Sequence, residues 1–146
     1  MRSVRFASPR SLWRDRKGAA AAEFGLVAPL LVAMTLGMTE YSMVFFSYGA
    51  MQSAARDVAR QVAVNTLPAG SAQTEVRERV PSWVRDSVTV SVTQTTPANP
   101  ATNVYTMRVQ APIAAATPIS FYTKAQSSQL STTVEMKQEL PFVEVG

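Results

Sequence analysis

Glu23 is the carboxylate whose position invites chemistry. It stands at the mouth of residues 24–39, a run without a single charge. A carboxylate there is costly unless it has a partner or reaches water. Ahead of it the basic residues Arg14, Arg16 and Lys17 end at Gly18. Residues 19–22 are four alanines, and Glu23 and Phe24 follow. A carboxylate in hydrocarbon calls for charge pairing with a cationic group. The competing reading is a solvated charge at the level of the lipid headgroups. Glu40, the next charge along the chain, reads as an interfacial charge where the run ends.

Other chemistry is poorly provided for. The chain has no histidine and no cysteine, which removes histidine-based triads, thiol nucleophiles, disulfides and the usual zinc sites. Glu75, Glu78 and Asp86 are interleaved with Arg77, Arg79 and Arg85, a pattern of solvated helix faces rather than of general acid and base. No glycine-rich phosphate loop is present. The expectation is a protein that is not an enzyme and takes no cofactor or metal.

The net charge of +4 is confined to the beginning of the chain. Residues 1–18 hold six Lys/Arg and one Asp, whereas the remainder holds eight Lys/Arg and nine Asp/Glu. With no basic face after Gly18, nucleic acid is not an expected partner. Lys and Arg flanking a membrane segment stay in the cytoplasm. The N-terminus is therefore expected inside and everything beyond the apolar run outside.

The elements that must position these residues follow from periodicity. Between residues 19 and 55 the only charges are Glu23 and Glu40, and about twenty apolar residues span a bilayer core. Pro29 lies within the run and is tolerated in a membrane helix. Beyond Glu40, the residues Tyr41, Val44, Tyr48, Met51, Ala55, Val58 and Val62 recur at spacings of three and four, an apolar stripe on one helix face. A helix over 19–64 would be roughly 68 Å long, so its outer half must pack on something. The stripe either covers its own C-terminal domain or packs on neighbouring subunits, with Tyr41, Val44, Tyr48 and Met51 as contacts.

Pro68, Gly70 and Ser71 mark a break, with Ser71 able to cap a short helix that carries Val76 and Val80 inward. Pro81 limits that helix, and Trp83 and Val84 read as core. Three period-two patterns follow, at Val88, Val90 and Val92; at Tyr105, Met107 and Val109; and at Leu130, Thr132, Val134 and Met136. The stretch 111–129 between the last two is long for a connection and reads as a functional or packing excursion. The fold class is α+β: a long N-terminal helix, transmembrane and then amphipathic, with a short helix and a small antiparallel β-sheet. The boundaries are a basic leader at 1–18, the helix at 19–66 and an outer α+β domain at 67–146.

The stretch from Arg14 through Gly18 to Glu23 and Phe24 resembles the processing site of type IVb prepilins, the Flp and Tad (tight adherence) pilus family. With Glu40, Tyr41 and the later run Gln52-Ser-Ala-Ala-Arg-Asp-Val-Ala-Arg60, residues 14–64 look like the TadE-like family of minor pilins, or pseudopilins. The resemblance implies a pilin-like fold, residence in the inner membrane with the C-terminal domain in the periplasm, and work in pilus assembly and adhesion. It implies cleavage by a prepilin peptidase between Gly18 and Ala19. It also implies pairing of Glu23 with the free amine of a neighbouring subunit. The implied partners are that peptidase, other Tad/Flp pilins and the inner-membrane assembly platform. Major Flp pilins are much shorter and mostly one helix, so a minor component fits this chain better. Two other readings stay open: a Sec-exported protein cut beyond residue 40, and an uncleaved single-pass protein whose outer domain binds envelope partners.

Overall fold

The computed structural model describes residues 16–139. The basic leader, apart from its last residues, lies outside that range. Helix α1 runs over Arg16–Ala63, 48 residues with Pro29 inside it. The chain divides into two compact units, Met1–Gly37 and Met38–Gly146. The division falls within α1, so the outer part of the helix belongs to the folded unit and the apolar part does not.

Among the described residues of the first unit, the large apolar side chains are exposed. Phe24, Leu26, Leu30, Leu31 and Val32 are all more than half exposed. None of the apolar window that marks α1 as a candidate membrane span is buried within the chain. A core helix of a soluble protein would hide one face. Here α1 offers one segment long and apolar enough to cross a bilayer.

The second unit packs the rest of α1 against helix α2 (Ala72–Arg79), the short helix α3 (Ser82–Arg85) and a sheet of β1 (Thr89–Gln94), β2 (Val104–Pro112) and β3 (Gln129–Lys137). The sheet is antiparallel with order β1-β2-β3. Its register sets Val90 opposite Val109, Val92 opposite Met107, and Met107 opposite Val134. Period-two alternation turns Tyr105, Met107, Val109 and Ala111 inward from β2. They meet Met51, Ala55, Val58 and Val62 from α1 and Val76, Val80, Val84 and Val88 from the α2–β1 segment in one core.

The local stops are chemical. α1 ends at Ala63, and Asn65 takes a left-handed conformation (φ 58°) just beyond it. Asparagine tolerates that region and closes the helix. The stop thus precedes Pro68 and Gly70. Ser71 occupies the cap position of α2, but its hydroxyl makes no capping hydrogen bond, so the expected side-chain cap is absent. Val80 is extended ahead of Pro81 and ends α2, as the steric demand of the proline ring requires. Side chains of α2 blunt the outer edge of β1: Arg77 donates to the Val88 carbonyl, and the Val90 N–H donates to Gln73 Oε1.

Trp83 departs from the sequence expectation. Val84 is fully buried, but Trp83 lies at the rim, 39% exposed. Its indole N–H donates to Ser47 Oγ at 3.0 Å and to the Ala116 carbonyl at 3.2 Å, and its ring lies 6.3 Å from that of Phe46. The polar indole nitrogen needs acceptors, which a valine-lined core does not offer.

Candidate functional site

The residues around the proposed processing point form an open helical segment. Gly18, Ala19, Glu23 and Phe24 are all exposed on α1. A Cβ added at Gly18 or Gly25 would meet nothing within 4 Å, so these glycines answer no packing demand inside the chain.

The inward stripe of the outer half of α1 keeps Val44, Met51, Ala55, Val58 and Val62 of the apolar series, adds Glu40 and Ser47, and leaves Tyr41 and Tyr48 at its side. Buried positions are Glu40, Val44, Ser47, Met51, Ala54, Ala55, Val58, Ala59, Val62 and Ala63. Tyr41, at 39% exposure, and Tyr48, half-buried, flank this face. The Tyr41 hydroxyl accepts from Gln126 Nε2 at 3.2 Å. Of the four helix contacts assigned to subunit packing, Val44 and Met51 are covered by this chain's own domain, so that part of the stripe covers its own fold. Tyr41 and Tyr48 retain accessible surface.

Glu40 is not a solvated charge but one fully buried within the outer unit. Its Oε2 accepts hydrogen bonds from the backbone N–H groups of Phe121 (3.1 Å) and Tyr122 (2.8 Å). Its Oε1 accepts from the Thr123 N–H (2.7 Å) and the Thr123 hydroxyl (2.6 Å). Three successive N–H groups converging on a carboxylate form an anion-holding nest. Burial pushes the Glu40 carboxyl up. The Thr123 hydroxyl and the backbone donors of Tyr122, Thr123 and Phe121 outweigh it and hold the group below its ordinary value of 4.5.

Above Glu40 on the same face, Ser47 Oγ donates to the Ala116 carbonyl at 2.6 Å. Between these clasps, Thr117 is buried, and its hydroxyl accepts from the Ile119 N–H. The long connection between β2 and β3 is therefore a packing excursion. It leaves the sheet through the 3₁₀ turn Ile113–Ala115, lies along α1 from Ser47 to Glu40, and returns to β3.

A cavity of about 310 Å³ lies among Ala69, Gly70, Ala72, Gln73, Val90 and Val92. It gathers one polar side chain, Gln73, which already accepts from Val90, and so lacks the convergent polar groups that orient a ligand.

The open apolar segment, the buried stripe and the Glu40 clasp all belong to α1. Residues 18–60 match the family model described as TadE-like protein. No curated protein and no solved structure matches the chain. The TadE-like stretch begins at Gly18, contains Glu23 and Glu40, and extends through Met51, Ala55 and Val58 into the core of the outer unit. The sheet, and the loop that binds Glu40, lie outside it.

Proposed function

We propose that this chain is a minor pilin, or pseudopilin, of a Tad/Flp type IVb pilus, a non-catalytic subunit acting in pilus assembly and adhesion. In this reading α1 inserts in the inner membrane, a prepilin peptidase cuts between Gly18 and Ala19, and the outer unit stands in the periplasm. Its partners are that peptidase, other pilins and the inner-membrane assembly platform. The observation that carries the reading is the coincidence on one helix of the TadE-like match at 18–60 with an apolar segment whose side chains are uncovered. Uncovered apolar side chains on a membrane helix suit lipid first and neighbouring helices afterwards.

The structure weighs against Sec processing beyond residue 40. A cut there would remove Glu40, leaving the donors of residues 121–123 without their acceptor, and a cut near residue 50 would also remove Ser47, leaving the Trp83 indole with the Ala116 carbonyl alone. Losing these hydrogen bonds would free the loop from α1 and destabilise the outer unit.

The mature N-terminus tests the proposal. In cells holding the cognate peptidase, sequencing is expected to begin at Ala19. A start at Met1 would favour the uncleaved single-pass alternative, and a start beyond residue 40 would favour Sec export. A periplasm-dependent reporter fused after Gly146 should be active, and activity of a cytoplasm-only reporter there would refute the orientation.

Glu23 has a separate test. Glu23→Gln keeps shape and removes charge, so it should reduce incorporation into pilus complexes. The outer unit's protease resistance should be unchanged, because its core begins at Val44. Normal piliation by Glu23→Gln and Glu23→Ala would show that Glu23 is only a headgroup-level charge.

A further inference from the structure

Residues 119–124 carry an exposed apolar pair on a loop fixed to α1 where the apolar segment ends. Phe121 is 69% exposed and Tyr122 is 37% exposed. Their rings meet edge to face with centroids 5.0 Å apart. Ile119 beside them is also exposed. Clustered exposed apolar side chains mark a contact surface, and the backbone N–H groups of this pair are pinned to Glu40, which holds it in place.

Two observations say what covers the pair. The first is continuity with the candidate span. If the twenty residues from Ala19 cross the bilayer core, the crossing ends at Met38. Glu40 then stands about 3 Å further along the helix axis, and the hydrogen bonds from residues 121–123 fix the loop at that level. The other end of the unit is far away. Ala63, where α1 ends, lies 23 residues beyond Glu40, about 35 Å along the helix, and Asn65 just past it accepts from Gln138 beside the buried Asn103.

The second observation is charge. Lys124 is the only charged residue in 113–128, and it is exposed. Along α1 from Met38 to Ala55 the only charge is Glu40, which is buried. The surface around the loop therefore presents aromatic rings and one cation, with no exposed carboxylate contributed by these two stretches. That combination matches the glycerol and phosphate layer of a bilayer, where amphipathic rings concentrate and lysine meets lipid phosphate.

We propose that residues 119–124 form a membrane-interface anchor, with Phe121 and Tyr122 entering the headgroup layer of the leaflet from which α1 emerges, Lys124 meeting lipid phosphate, and Glu40 holding the loop at that depth. The anchor rests on the membrane-spanning part of the functional reading. It goes beyond it by giving the outer unit a second lipid contact, which restrains rotation and tilt about α1 before the subunit leaves the bilayer.

The absence of cysteine makes a direct test simple. Phe121→Cys, Leu31→Cys and Ala98→Cys are each labelled with a nitroxide. The full chain is reconstituted at low protein density in vesicles of phosphatidylethanolamine and phosphatidylglycerol. Collision with oxygen, which concentrates in lipid, is compared with collision with a water-soluble nickel chelate. The label at 121 should show a several-fold higher oxygen-to-nickel ratio than that at 98, and Glu40→Gln should lower the ratio at 121 toward that at 98. A ratio at 121 equal to that at 98, with Leu31 in lipid, would overturn the anchor alone. Shielding of 121 from both reagents would overturn it in favour of a contact with a second copy. A lipid-like ratio at 121 unchanged by Glu40→Gln would overturn the role given to Glu40. An aqueous label at Leu31 would overturn the spanning reading and the anchor with it.

Discussion

Glu40→Ala is expected to release residues 121–123 from α1 and to lower the stability of the outer unit by about 2–3 kcal/mol. The carboxylate is shielded from water and engaged on both oxygens. Hydrogen bonds to an ionised acceptor are stronger than neutral ones. The freed N–H groups belong to a loop near the surface and can turn to water, so the loss stays well below the sum of the individual bonds. Hydrogen exchange at Phe121, Tyr122 and Thr123 should accelerate far more than exchange in β2, which keeps its partners on both sides.

Glu40→Gln is the sharper comparison, because its amide presents a donor where the loop also presents donors. The pH dependence has a fixed sign. A carboxyl whose folded pKa lies below its unfolded value contributes stability that is fully present above the unfolded value. That contribution is lost as pH falls through the depressed folded value. Stability should therefore decline below about pH 4.5, the ordinary value of the group, and Glu40→Gln should flatten that part of the profile. Equal acid sensitivity in the variant, with unchanged exchange in residues 121–123, would show that the clasp contributes nothing.

Replacing Gly18 with a bulky residue should leave the precursor uncut. The proposed peptidase must admit the residue before the scissile bond at the membrane face, and glycine is the residue that fits there without a side chain. The structure makes this substitution unusually clean. A Cβ at Gly18 would meet nothing within 4 Å, and the core of the outer unit lies beyond Met38. Gly18→Phe should therefore insert in the membrane, keep a protease-resistant outer unit and migrate at the size of the full chain, whereas the natural chain runs shorter by the leader. A ladder of protein from both chains at the same mature size would end the case for cleavage after Gly18. Cleavage lost together with protease resistance would point to misfolding instead, and Gly18→Ala, which adds only a methyl group, separates the two.

Much of the fold was legible because its signals are local. The uncharged run at 24–39 follows from composition alone, and so does the location of the basic excess before Gly18. Alternation at Tyr105, Met107 and Val109 and at Leu130, Thr132, Val134 and Met136 fixes which faces of β2 and β3 turn inward, because successive side chains of a strand point to opposite faces. The structure keeps both assignments. Pro81 ends α2 where its ring forbids the helical conformation of Val80.

The site around Glu40 was not legible in this way, and the reason is physical. The inward face of α1 takes in Glu40 and Ser47 along with Val44 and Met51, whereas apolarity picks Tyr41 and Tyr48 beside it and passes over the two polar residues. A helix shows from its own sequence which positions share a face, but a polar residue on that face reads as exposed unless its partners are known. For Glu40 the partners are chiefly backbone N–H groups 81 to 83 residues away. Backbone donors have no side-chain identity, so no residue type in 121–123 announces them. Only the path of the β2–β3 connection, drawn to α1 as the sheet packs on the helix, brings them to the carboxylate. A membrane-length apolar helix joined to a small α+β unit follows from residue types and their periodicity, because both signals are local to each element. Tertiary structure decided that the charge at the end of the apolar run is an internal clasp.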